Sequence, residues 1–308
     1  MPPLRRVAGT LLRVAGTAGL AVYVLTRVSP GELLATIRRV HPGVLGAAAV
    51  LYLLGQALSA LRWWILGRAV GLGRPLLDYL RFYAIGMFFN LFGPSTLGGD
   101  AIRVLYLGRG QRRMLAAGSV LFDRLSGFVM LVALGAVAQL VFHPRLPRAL
   151  AATVSSAGLM MLAAWIALPR LVRFLPREQR LRRTVEEELA PFWRDGSLLL
   201  SAAVLSLTFH VSQVAVQYLL GLATGVALPF WYCLVFHPLV ALATALPVSL
   251  GGFGVREGGY VLLLGRIGVK PADAVALSLL WFAVTAVAGL VGGLVFSTYR
   301  RRAATPRA

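Results

Sequence analysis

Six ionisable side chains stand out because the chain around them is apolar: Asp100, Arg103, Asp123, Arg124, Arg256 and Glu257. Charges inside a membrane-like segment are expensive, and they persist where they pair with one another or meet a ligand. Two of the arginines follow glycine pairs, Gly98–Gly99 before Arg103 and Gly251–Gly252 before Arg256. Each pair would open a half-helix with its guanidinium about one turn in. Free amides at a helix start together with a guanidinium form a cradle for phosphate. The plainer alternatives are that the six charges neutralise one another as structural ion pairs and that the glycines serve close helix packing.

A second polar set consists of His210, Gln213 and Gln217, at i, i+3 and i+7 on one face of a helix, with Gln56 and Ser59 at the matching positions 154 residues earlier. Such a stripe either lines a path for a polar headgroup or supplies interhelical hydrogen bonds. No Ser-His-Asp set, no phosphate loop ending in Gly-Lys-Ser/Thr and no zinc signature is present, so no enzyme chemistry is expected. Cys233 stands alone, and His41, His143, His210 and His237 lie far apart, so neither a metal nor another cofactor is expected.

The elements that must hold these residues are membrane helices. Of 308 residues, 58% are hydrophobic and 14% charged, against roughly 25% charged in soluble globular chains. Mean hydropathy is +0.77. Spans of about 20 apolar residues are predicted near 8–27, 43–66, 115–142, 150–168, 198–220 and 272–296, and the first is read as uncleaved. Two more apolar stretches, near 76–93 and 229–247, run into glycine-proline clusters. The segment 169–197 is rich in arginine and carries Leu181, Val185 and Leu189 at four-residue spacing, which predicts an amphipathic helix on the inner membrane surface. The net charge of +20 fits cationic loops facing anionic lipid headgroups. Nucleic acid is not expected as a partner, because basic patches interleaved with aromatics are absent.

The chain also repeats itself. GPSTLGGDAIR (93–103) aligns with LPVSLGGFGVR (246–256) at an offset of 153, LGRAVGLGRP (66–75) with LGLATGVALP (220–229) at 154, and GAVAQLVF (135–142) with GLVGGLVF (289–296) at 154. If all eight apolar segments span, the halves are parallel and the basic residues divide 15 to 13 across the membrane. If 76–112 and 229–266 instead enter and return on one side, the division is 21 inside to seven outside. Cationic loops resist translocation, so the second arrangement is preferred. The expected fold is an all-α polytopic membrane protein of two inverted repeats, with six full spans and two re-entrant helical hairpins. It forms a single transmembrane domain over 1–308, with repeat 1 near 1–148, repeat 2 near 149–302 and both termini cytoplasmic.

Three stretches carry a resemblance: FNLFGPSTLGGDAIRVLYLGR (89–109), FDRLSG (122–127) and LPVSLGGFGVREGGYVLLL (246–264), with Arg62–Trp63 closing the second span. They resemble the flippase-like membrane family, the transmembrane region of lysylphosphatidylglycerol synthase that also occurs as stand-alone membrane proteins. Asp123 stands where that family pattern leads one to expect glutamate. No soluble aminoacyl-transfer domain follows residue 302, so the resemblance implies lipid translocation and not lipid synthesis. The expected function is flippase or scramblase-like movement of an anionic or phosphate-bearing lipid across the bacterial inner membrane. The alternative is a non-transporting subunit that scaffolds a lipid-modifying enzyme. Expected partners are membrane lipids, and a lipid-synthesis enzyme under the alternative.

Overall fold

The computed structural model describes residues 28–92, 97–108, 112–142, 148–171, 190–245 and 252–304, with isolated positions at 19, 26, 174, 176 and 186. The expected first span lies almost entirely outside the described residues, as do most of 169–197, the tip residues Pro94, Pro247 and Gly251, and both chain ends.

The described residues form helices and no strands. A short helix α1 (Pro30–Arg38) precedes the long helix α2 (Pro42–Ala69). Then come α3 (Leu76–Phe92), α4 (Leu97–Leu107), α5 (Arg112–Phe142) and α6 (Arg148–Leu171). The second half holds α7 (Ala190–Arg194), α8 (Gly196–Thr224), α9 (Phe230–Ala245), α10 (Val255–Leu264) and α11 (Pro271–Ala304). Proline opens α1, α2 and α11 at its first helical position, where it forfeits no hydrogen bond. Asp195 caps α8, accepting from the amides of Ser197 (2.9 Å) and Leu198 (3.1 Å), and Gly225 ends it in the left-handed region at φ +73°.

Four of these helices are long and apolar enough to cross a bilayer: Pro42–Ala69, Arg112–Phe142, Gly196–Thr224 and Pro271–Arg300. Two shorter apolar stretches, Gly158–Leu171 and Phe230–Ala245, accompany them. The chain is thus an all-helical, multi-pass membrane protein.

The packing places α2 against α8 and runs them antiparallel. The His41 amide donates to the carbonyl of Ala223 (2.8 Å), Gly55 faces Gln213, and Arg62 Nη1 donates to Ser206 Oγ (2.7 Å). Helix α3 likewise runs antiparallel to α11, with Leu91 beside Gly289 and Phe82 beside Tyr299. In the other half α9 lies antiparallel on α5, with Pro238 beside Gly135 and Trp231 beside Phe142. Those glycines let two backbones approach, as small residues do between membrane helices.

Both glycine-proline breaks lie between two helices that fold back on each other. Phe82 stacks on Tyr106 at 5.3 Å, and the side chains of Arg103 and Asn90 meet Gly86 and Gly99, so α4 returns along α3. In the second pair Phe236 meets Tyr260 at 4.7 Å, Tyr232 Oη donates to the carbonyl of Leu263 (2.6 Å) and Thr244 faces Gly252. The ring pairs Phe82–Tyr106 and Phe236–Tyr260 stand 154 residues apart in the chain, the offset of two of the three sequence matches.

Candidate functional site

The two folded-back pairs meet at a cavity of about 630 Å³. Arg103 and Asp100 of α4 and Arg124 of α5 line it, as do Arg256 and Phe253 from the second pair. Tyr52 and Gln56 of α2, Tyr83 and Asn90 of α3, and Phe282 and Thr285 of α11 line it too, and Gly86, Met87, Leu91 and Phe92 of α3 complete the wall with an apolar strip. Among the lining residues three guanidiniums face one carboxylate, with Asp123 and Glu257 behind them as the partners of Arg103 and Arg256, and three polar side chains and several aromatic rings stand around them.

Arg103 is held from several sides. Its Nη2 donates to Asp123 Oδ2 at 2.7 Å and its Nη1 lies 3.4 Å from Asp100 Oδ1. The guanidinium also lies 4.1 Å over the Trp63 ring and 4.7 Å over Tyr83, a cation–π arrangement. Its Nε is buried and finds no hydrogen-bond partner among the described residues. Asp123 uses its second oxygen for Arg62 Nε at 2.7 Å. Arg62 extends the network to Ser206 (2.7 Å) and Ser59 (3.3 Å), and Ser59 also accepts from Tyr83 Oη (3.0 Å). Arg124 Nε lies 2.6 Å from Asp100 Oδ2. The Asp123 side chain is 3% exposed and that of Arg124 is 41% exposed, so the aspartate works from behind the wall while the arginine faces the cavity.

The second half solves the same problem over a shorter reach. Arg256 donates to Glu257 Oε1 from Nε (3.1 Å) and Nη2 (2.7 Å), and Nε also reaches Ser278 Oγ at 3.0 Å. Glu257 Oε2 accepts from the Gly254 amide at 2.7 Å, closing the start of α10. The Arg256 guanidinium sits 5.5 Å from the Phe253 ring centre and 5.3 Å from that of Phe282.

The glycine motifs differ in the two halves. Gly98 and Gly99 lie inside the first turn of α4, where a side chain on Gly99 would strike the carbonyl of Gly86 and the side chain of Asn90. The Gly99 amide is already committed to Asn90 Oδ1 at 2.8 Å. Gly252 lies before α10 at φ +78°, followed by Gly254 at φ +81°. A left-handed turn of that kind costs glycine nothing and any other residue strain. Hence Arg103 lies in the second turn of its helix and Arg256 in the first.

Of the polar stripe, Gln56 lines the cavity. Ser59 belongs to the Arg62 network, His210 Nε2 bonds to the carbonyl of Gly127 (2.8 Å), Gln213 Nε2 contacts Ser212 Oγ (3.3 Å) and Gln217 donates to Tyr260 Oη (2.5 Å). Ser59, His210 and Gln217 thereby link neighbouring helices, while the Gln213 contact stays within α8. Among the described residues no group of three metal-ligating side chains occurs.

Arg62 corrects one element of the sequence reading. The division of 21 inside to seven outside includes Arg62 on the inside, yet its side chain is 5% exposed and bound to Asp123. Removing it from 21 leaves 20 against seven, so the charge asymmetry survives. Tyr52, Tyr83, Asn90, Phe282 and Thr285 were not singled out from sequence, because aromatic and small polar residues in an apolar run look like ordinary helix packing.

The sequence profile described as the lysylphosphatidylglycerol synthase TM region matches residues 10–293. Among curated proteins, a UPF0104 membrane protein of Methanothermobacter thermautotrophicus is 25% identical over 299 residues, covering 87% of this chain and 88% of its own length. The profile takes in both folded-back pairs and every residue of the cavity wall, and the chain belongs to the lysylphosphatidylglycerol synthase transmembrane-region family.

Proposed function

We propose that this protein moves a phosphate-bearing or otherwise anionic lipid across the bacterial inner membrane, by taking its headgroup into the cavity between the two folded-back helix pairs. The observation that carries this reading is the convergence of Arg103 and Arg256, one from each repeat, on a single guanidinium-lined cavity. An anion entering it would trade its hydration for fixed guanidinium donors in a low-dielectric wall, where such bonds are strong.

In this reading the halves are inverted repeats, and 76–112 and 229–266 are re-entrant hairpins. The antiparallel run of α2 against α8 supports it, since counterpart helices related by an axis along the membrane normal would run parallel. The exchange of packing partners supports a two-fold relation of the halves: α3 lies on α11, while their counterparts α9 and α5 lie on each other. Inverted repeats with interrupted helices at a central site are a recurrent transporter plan. Alternating access would then come from rocking of one repeat against the other, with Asp100 releasing Arg103 or Arg124 to the headgroup. Both termini would be cytoplasmic, and the chain itself would not be an enzyme.

The test is translocation of a fluorescent phosphatidylglycerol in liposomes, read by dithionite quenching. One charge-assisted hydrogen bond is worth about 1.5–3 kcal/mol, which corresponds to roughly 10–100-fold in rate. Arg256→Ala is expected to slow transport by that factor, and Thr285→Trp, which fills the cavity without touching a charge, is expected to slow it as well. Parental rates in both variants overturn the proposal. No transport by the parent protein, with a lipid-modifying enzyme co-purifying from membranes, establishes the scaffolding alternative.

A further inference from the structure

A second hollow, of about 930 Å³, lies away from the charged cavity, between α5, α6 and the α7–α8 corner. Its volume is near the upper end of the roughly 300–1,000 Å³ typical of small-molecule sites. Most of its wall is aliphatic, from Val129, Met130, Leu162, Ile166, Leu199 and Leu200. One end is different. There Arg170 at the end of α6 and Arg194 at the end of α7 line the opening with Glu186, and Trp165 and Trp193 form the floor. The two indoles lie 4.7 Å apart and belong to a cluster with Phe122 and Phe192, so the floor is rigid. The Trp193 Nε1 donor is buried and has no acceptor among the described residues.

We infer that this hollow is a binding site for an anionic glycerophospholipid of the surrounding bilayer, separate from the transport cavity. An acyl chain fits the aliphatic trough. The headgroup phosphate meets Arg170 and Arg194, and the Trp193 N–H has an acceptor within reach of the same end. Among the described residues two guanidiniums stand beside one carboxylate, a balance that selects an anionic over a zwitterionic headgroup, and indoles at the junction of an apolar trough and a polar mouth suit the membrane interface. None of these residues lines the cavity that holds Arg103 and Arg256, so the site stands or falls independently of the transport reading.

Fluorescence quenching by lipids brominated on the acyl chain tests it, with the full protein in phosphatidylcholine nanodiscs. Subtracting the signal of Trp165→Phe/Trp193→Phe from that of the parent isolates the two floor indoles. Brominated phosphatidylglycerol is expected to quench that difference signal at a mole fraction at least about three-fold lower than brominated phosphatidylcholine. That ratio equals about 0.65 kcal/mol of preference. Arg170→Gln/Arg194→Gln is expected to bring the ratio to one while quenching by phosphatidylcholine persists, which shows that the trough is intact. Arg256→Ala is expected to leave the ratio unchanged. Equal quenching by both lipids in the parent, no quenching by either, or a preference that survives the double arginine change each overturns the inference.

Discussion

Asp123 carries more of the site than any other single residue. It accepts from Arg62 and Arg103 at 2.7 Å each, tying α2, α4 and α5 at one point. Removing the carboxylate charge leaves two buried guanidiniums facing each other, with only the longer 3.4 Å contact of Arg103 to Asp100 as compensation. Breaking a buried pair in this way costs about 3–5 kcal/mol. Asp123→Asn is therefore expected to unfold at markedly lower temperature than the parent in detergent, followed by tryptophan fluorescence, whereas Asp123→Glu, which keeps the charge, is expected to retain most of the stability. The sequence shows Asp123 as an odd charge in an apolar run but gives no means of choosing its partners. Arg62 is 61 positions away and sits where an arginine reads as the membrane edge of a span. Only tertiary packing brings them together. Arg256 and Glu257, by contrast, are chain neighbours, yet from sequence ion pairing is offered only for the six charges as a set, with no partners assigned.

At the scale of elements, glycine and proline made the interruptions legible, since a broken helix exposes backbone groups that a bilayer does not satisfy. The breaks between α3 and α4 and between α9 and α10 fall at those clusters. Which glycine does what was not legible, because a turn glycine and a contact glycine are the same letter. Gly292 of α11 is a contact glycine: a side chain there would meet the backbone carbonyl of Ala84 on α3. Gly292→Leu is expected to cost about 1–3 kcal/mol through forced separation of the two helices. Gly46→Ala, on an open face of α2 with no neighbouring atom in reach, is expected to cost nothing and to gain up to about 1 kcal/mol from helix propensity. Paired thermal melts of the two variants check both expectations.

At the scale of the molecule, the repeat was read from short matches and the arrangement of the halves from the placement of arginines. The ring pairs Phe82–Tyr106 and Phe236–Tyr260 give the duplication a packing counterpart. The topology has a direct test. Gly196, exposed at the start of α8, and Lys270, exposed before α11, belong on opposite faces if the halves are inverted, with Gly196 cytoplasmic, and on the same outer face if all eight apolar segments span. In a Cys233→Ala background, an impermeant maleimide added to intact cells is expected to label Lys270→Cys and to spare Gly196→Cys until the membrane is opened. Labelling of both from outside rules the arrangement out.

The copies have not stayed equal in how their arginines are tethered. Arg103 is bound through Asp123 to two long helices, whereas Arg256 is bound to its own neighbour and to one serine of α11. Tilting the first elbow strains ionic links to helices outside it, and tilting the second carries most of its links along. Under the proposed transport reading, a duplicated machine with one stiff arm and one loose arm has no reason to rest halfway. It would idle with one vestibule shut and the other ajar, and lipids from the two leaflets would encounter unequal doorways even when no energy source drives them.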